Sequence, residues 1–124
     1  TDSNKAYQVL LDNWNKDTLE LYEEFKVLLL NNSNEVLGVS ILSRGGITGT
    51  LVDVRLLFAT ILKSGATAII TAHNHPSGNL RPSEQDKRLT ERMVKVGREL
   101  DLPVLDHVIF TDVGYFSFAD EGMI

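Results

Sequence analysis

The stretch that decides the fold is AIITAHNHPSGNLRPSEQD, residues 68–86. It opens on a short apolar run, and Ala66 to Ala72 reads as a strand buried on both faces. His73 to Pro82 reads as a loop, punctuated by Pro76, Gly78 and Pro82. A helix then starts at Ser83. Its apolar stripe is Leu89, Met93, Val96 and Leu100, at helical spacing, and it ends before Pro103. Upstream, Asp53 caps a helix that runs to Ser64 and stops at Gly65. Phe25 to Leu30 is a second fully apolar strand, Asn31 to Asn34 a turn, and Glu35 to Ser40 an alternating return strand. Arg44 to Thr50 carries Gly45, Gly46 and Gly49 and is read as irregular or bulged. Near the start, Ser3 can cap a helix with Tyr7, Leu10, Leu11 and Trp14 on one face. Downstream, Val104 to Phe110 and Tyr115 to Phe118 are strands. Strands and helices alternate, which predicts an α/β fold: a three-layer α/β/α sandwich around a mixed sheet.

Composition bounds the rest. The chain has 124 residues, 43% of them apolar, enough for one domain and one core. No apolar run reaches the roughly 18 residues of a membrane span. Twelve Lys and Arg against 17 Asp and Glu leave a net charge of −5, which disfavours general binding to phosphate backbones. There is no cysteine, so disulfides, thiol nucleophiles and thiolate zinc sites are all excluded. With no signal-peptide pattern, the expected location is the cytoplasm, with no membrane partner. The chain begins at Thr1, and the expectation is a single domain, 1–124, cut from a longer protein.

The chemistry is concentrated in the deciding stretch. If extended geometry persists past Ala72, His73 and His75 point to the same side. The loop brings the chain back, so Asp86, in the first helical turn, can offer a carboxylate to the same ion. Two imidazoles and one carboxylate suit zinc and leave a fourth position for water, the mark of a catalytic rather than a structural site. Other divalent ions also accept such ligands. Each part has a plainer reading. A His-x-His pair alone is usually surface, and Ser83 with Asp86 is also a capping box. The two uses compete, so a metal-holding Asp86 and a substrate-facing Ser83 predict a less well capped helix.

His73-x-His75, then Ser83 and Asp86 at this spacing, resembles the motif of the JAMM (MPN-type) metalloproteases. More narrowly, Ala72 to Gly78 with Arg81-Pro82-Ser83 and Asp86 resembles the bacterial RadC family. Gly49-Thr50, Asp106 to Ile109 and Ser117 to Gly122 agree with it, and the similarity runs from about Glu24 to Ile124. The resemblance implies a JAMM/MPN-like fold, related to that of cytidine deaminases, and a hydrolase with one zinc ion held by His73, His75 and Asp86. It further implies a glutamate ahead of an apolar strand that takes a proton from water as it attacks a peptide or isopeptide carbonyl. Glu23 and Glu24 both stand there; the resemblance puts the acid directly before the phenylalanine, favouring Glu24. Ser83 would donate its hydroxyl to the oxyanion.

Several smaller features remain. Asp106-His107 has two readings, one in which either residue orients a ligand imidazole and one in which they are a structural polar pair. Arg81 to Arg98 holds half the basic residues and carries +3 against −8 for the remainder. Arg88, Arg92 and Lys95 share a helix face that is either solvated or a docking stripe for an acidic partner or nucleic acid. The segment Arg44 to Thr50 could flank the cleft and hold an extended peptide at a sheet edge. RadC-like proteins have been named for DNA repair and often carry a helix-hairpin-helix segment ahead of this domain, which is missing from this chain. The alternative function is therefore a DNA-repair-associated nucleic-acid-binding or scaffold module without hydrolytic activity. Nucleic acid is not an expected partner for this chain alone, and an unidentified peptide or protein is the expected substrate. A zinc deaminase needs cysteine ligands and is set aside.

Overall fold

Every residue of β1 (Glu24–Leu30) and of β3 (Ala68–Asn74) is buried, as central strands covered on both faces must be. The computed structural model describes residues 3–45 and 52–124. Around these two strands lie β2 (Val36–Arg44), β4 (Val104–Phe110) and β5 (Tyr115–Ser117), in the spatial order β2-β1-β3-β4-β5. Only β3 and β4 pair in parallel, through the crossover helix α3 (Glu84–Glu99). The sheet is therefore mixed, as expected.

Helices cover both faces. On one, α1 (Ser3–Asp12) brings Ala6, Tyr7 and Leu10 onto Leu28, Ile70 and Val108. Trp14, just beyond α1, packs edge-on against Phe110 with ring centroids 4.4 Å apart. On the other face, α2 (Val54–Ser64) packs Leu57, Phe58 and Ile61 with Met93 of α3 against Val27 and Ile69. Alternation along β1 and β3 thus sends even-numbered residues to α1 and odd-numbered ones to α2 and α3. Three layers follow, and the expected sandwich is what forms.

The elements differ from their sequence reading in places. Strand β3 runs to Asn74 rather than Ala72, because Phe25↔His73 and Asn74↔Phe110 extend its pairing on both sides. Strand β2 runs to Arg44, four residues past its expected end, with register shifts against β1. Ser3 is the first residue of α1, and its hydroxyl donates to Asp120 Oδ2 at 2.6 Å. On α3 the buried residues are Thr90, Met93 and Gly97, while Leu89 and Val96 are half-buried and Leu100 is exposed at the C-cap. Thr90 can be buried because its hydroxyl donates to the Asp86 carbonyl at 2.8 Å. Gly97 packs so close to the chain returning into β4 that a side-chain methyl there would overlap the Leu102 carbonyl. Asp53 does cap α2, accepting from the Arg55 and Leu56 N–H groups, and Gly65 ends it in the left-handed region. Of the glycine-bearing segment, Arg44 closes β2 and the Gly45 N–H donates to the Glu23 carbonyl. Gly46 to Thr50, and with them the sheet-edge peptide expectation, lie outside the described residues.

Candidate metal centre

Strand β3 delivers His73 at its penultimate position, facing α3, and His75 follows on the same side. Their Nε2 atoms are 3.0 Å apart. Asp86, at the third position of α3, reaches both: Oδ1 is 3.3 Å from His73 Nε2 and Oδ2 3.4 Å from His75 Nε2. Among the described residues these three form the one group of His, Asp and Glu whose ligand atoms converge within 4.8 Å. The separations fit an ion. Two ligands on a tetrahedral zinc, each about 2.0–2.1 Å from it, stand roughly 3.3 Å from each other.

The ring orientations fit as well. His75 Nδ1 lies 2.5 Å from the Asn79 carbonyl oxygen, which can only accept, so the proton sits on Nδ1 and Nε2 is free to bind a cation. His73 Nδ1 lies 2.8 Å from His107 Nε2, and His107 Nδ1 lies 2.7 Å from Thr71 Oγ1. When His73 offers Nε2 to an ion, its Nδ1–H donates to His107, whose own Nδ1–H donates to Thr71. His107 is fully buried, and that burial holds its pKa well down. A neutral His107 can therefore serve as the acceptor this chain needs. Of the two candidates in the Asp106-His107 pair, His107 is the one at the site. Asp106 accepts instead from the Ser117 hydroxyl at 2.6 Å and the Ala119 N–H at 2.9 Å, which fastens β4 to the chain after β5.

Charge balance is set by the same contacts. Burial alone would raise the Asp86 carboxyl, but hydrogen bonds from His73, His75 and the Ser83 N–H hold it far below the usual carboxylate range. Burial alone would lower His75, but its bonds to Asp86 and the Asn79 carbonyl outweigh this and raise it. A divalent ion held by these residues would thus compete with a proton for His75. With the folded value above about 6.5, zinc affinity should climb about tenfold per pH unit below that value and level off above it. Equilibrium dialysis across pH 5.5–8.5 checks this; a flat profile would contradict it. In the metal-free protein Asp86 acts oppositely. Its stabilisation is complete above the unfolded value, about 3.9, and is lost as pH falls below it.

The capping expectation needs correction. The capping box is intact: Ser83 Oγ accepts from the Asp86 N–H at 3.0 Å and Asp86 Oδ2 accepts from the Ser83 N–H at 2.8 Å. The two uses do not exclude each other. Capping occupies a lone pair of the serine oxygen and leaves its hydroxyl proton to donate. Asp86 has four lone-pair directions, enough for one N–H and an ion.

The glutamates separate. Glu24 is only 2% exposed, and Oε2 accepts from Arg44 Nε at 3.1 Å and Nη2 at 3.0 Å. Glu23 is half-buried and lines the same cleft of about 880 Å³ as His73, His75, Ser83 and Asp86. Its negative charge is one of the influences that raise His75.

Sequence reading missed Asn74, between the two histidines. Alternation sends its side chain to the opposite face, where it is fully buried. There Oδ1 accepts from the Glu24 N–H at 2.8 Å, and Nδ2 donates to the Leu19 and Tyr22 carbonyls at 2.7 and 3.0 Å. One amide thereby ties the segment bearing Glu23 to the strand bearing the ligands. Its only local signal is a polar residue inside a strand. Asn74→Ala should cost about 3 kcal/mol of folding stability, read by chemical denaturation, while the folded variant keeps its metal stoichiometry.

A family model, described as RadC-like JAB domain, matches residues 1–123. A UPF0758 protein of Flavobacterium johnsoniae is 54% identical over 102 residues, covering 82% of this chain and 44% of the relative. A UPF0758 protein of Porphyromonas gingivalis is 52% identical over 103 residues, covering 82% and 45%. A third, of Syntrophotalea carbinolica, is 40% identical over 102 residues, covering 82% and 45%. The chain spans a little under half the length of these relatives. No helix among the described residues is long and apolar enough to cross a membrane.

Proposed function

The chain belongs to the RadC family, and from that membership and the geometry of its cleft we propose a zinc-dependent hydrolase acting on a peptide or isopeptide bond. The observation that carries the reading is the convergence of His73 Nε2, His75 Nε2 and the Asp86 carboxylate at tetrahedral spacing. Zinc held there supplies a Lewis acid and lowers the pKa of water to about 7.

The residues of the chain do the rest. Glu23 takes a proton from the attacking water as its oxygen bonds to the carbonyl carbon. Ser83 donates its hydroxyl proton in a hydrogen bond to the oxyanion, while its oxygen still accepts from the Asp86 N–H. Glu23 then passes the proton to the departing amine, the C–N bond breaks, and an amine and a carboxylic acid are left, the acid releasing its proton to solvent. We assign the base to Glu23 in place of its neighbour Glu24. Glu23 lines the cleft, whereas the Glu24 carboxylate is already committed to Arg44.

Treating the protein with a chelator should abolish cleavage of a panel of quenched peptide and isopeptide substrates, and stoichiometric zinc should restore it. Cleavage unaffected by complete metal removal would refute the proposal.

A further inference from the structure

The wall of the cleft beyond the ligands is cationic. Gln85, Arg88, Leu89 and Arg92 line it from one face of α3, at the three- and four-residue spacing of a helical stripe. Arg81 joins them from the loop before the helix. Arg81, Arg88 and Arg92 are exposed, and among the described residues none of the three guanidinium groups forms an ion pair. An unpaired guanidinium directed at a cleft offers a planar fork of donors suited to a carboxylate. The acids lining the cleft besides Asp86 are Glu20 and Glu23, which come from a different element, the segment ahead of β1.

We propose that this cleft selects an extended peptide bearing acidic side chains, with Arg88 and Arg92 as the residues that determine the preference. The inference names the substrate class of the hydrolase proposed above and rests on that reading. Asp86 and Arg92 are six positions apart on α3, or about 9 Å along its axis. An extended peptide advances about 3.3 Å per residue, so the preferred acid lies about three residues from the scissile bond. A peptide suits the cleft better than a nucleic acid does. A polyanionic backbone carries charge at every step, and it would meet Glu20 and Glu23 as well as the arginines. Beyond Arg81–Arg98, the rest of the chain carries −8.

Binding and cleavage are tested separately. Zinc-loaded protein carrying Glu23→Gln and Glu24→Gln keeps its three ligands and is titrated at low salt. The probes are fluorescein-labelled acidic, neutral and lysine-bearing peptides of one length, and a single-stranded DNA oligonucleotide, followed by anisotropy. The acidic peptide should bind about tenfold tighter than the neutral one. Adding Arg88→Glu and Arg92→Glu should reverse the preference toward the lysine-bearing peptide, with zinc content and thermal melting unchanged. Equal affinity for acidic and neutral peptides, a preference untouched by the charge reversal, or tighter binding of the oligonucleotide would overturn the proposal. The parent protein with zinc is assayed on the same peptides. If it cleaves none while the acidic preference and its reversal persist, the hydrolase reading fails and the recognition stands.

Discussion

His75→Ala should lower the zinc content of purified, zinc-equilibrated protein from about one ion per chain to background, and hydrolysis should vanish with it. The variant keeps His73 and Asp86, but two ligands do not make a tetrahedral site. The fold should persist, because His75 lies beyond β3 and its ring is outside both apolar clusters. Circular dichroism on the same sample separates lost metal from lost fold. His107→Gln provides the contrast. It removes no ligand, only the acceptor that holds His73 Nδ1 at 2.8 Å. Zinc should still bind, about 10–100-fold more weakly. A His75→Ala protein that retains full zinc would place the ion elsewhere.

Glu23→Gln should reduce kcat by about 10²–10⁴-fold with zinc content unchanged. The amide keeps the size of the side chain but cannot accept the proton of the attacking water. Glu24→Gln should behave differently. It breaks a charged pair with Arg44 at the β1–β2 end, a contact more than half exposed on the arginine side and therefore of modest worth. Stability should fall slightly, and kcat should stay within about tenfold of the parent if the base is the neighbouring residue. The reverse pattern, with Glu24→Gln inactive and Glu23→Gln active, would return the base to Glu24. Side by side, the two variants decide between adjacent carboxylates, one lining the cleft and one held by Arg44.

That pair also shows how far the sequence could be read. Apolar runs marked β1 and β3, Asp53 and Gly65 marked both ends of α2, and the grouping of His73, His75 and Asp86 was visible in its spacing. These are local signals. What escaped depends on partners far along the chain. Asn74 bonds to residues 50 to 55 positions away, and nothing around it announces a clamp. His107 lies 34 residues from His73, and only their places on adjacent strands reveal it as the acceptor for the ligand ring. On α3 the stripe of large apolar residues marked the core-facing side through Leu89, Met93 and Val96 but not its small and polar buried members. Thr90 hides its hydroxyl on a backbone carbonyl, and Gly97 is buried because β4 approaches too closely for a side chain. Glu24 stands directly before Phe25, but that Arg44, 20 residues along, holds its carboxylate is visible only in the fold.

X-ray absorption at the zinc edge of the zinc-equilibrated protein tests the metal centre most directly. The geometry predicts about one zinc per chain, with two imidazole nitrogens and the remaining ligands oxygen, all at about 2.0–2.2 Å. In His73→Ala and His75→Ala the bound zinc, and with it the imidazole signal, should be lost. A folded parent protein that takes up no zinc under these conditions, or a bound zinc whose imidazole signal survives both substitutions, would contradict the account.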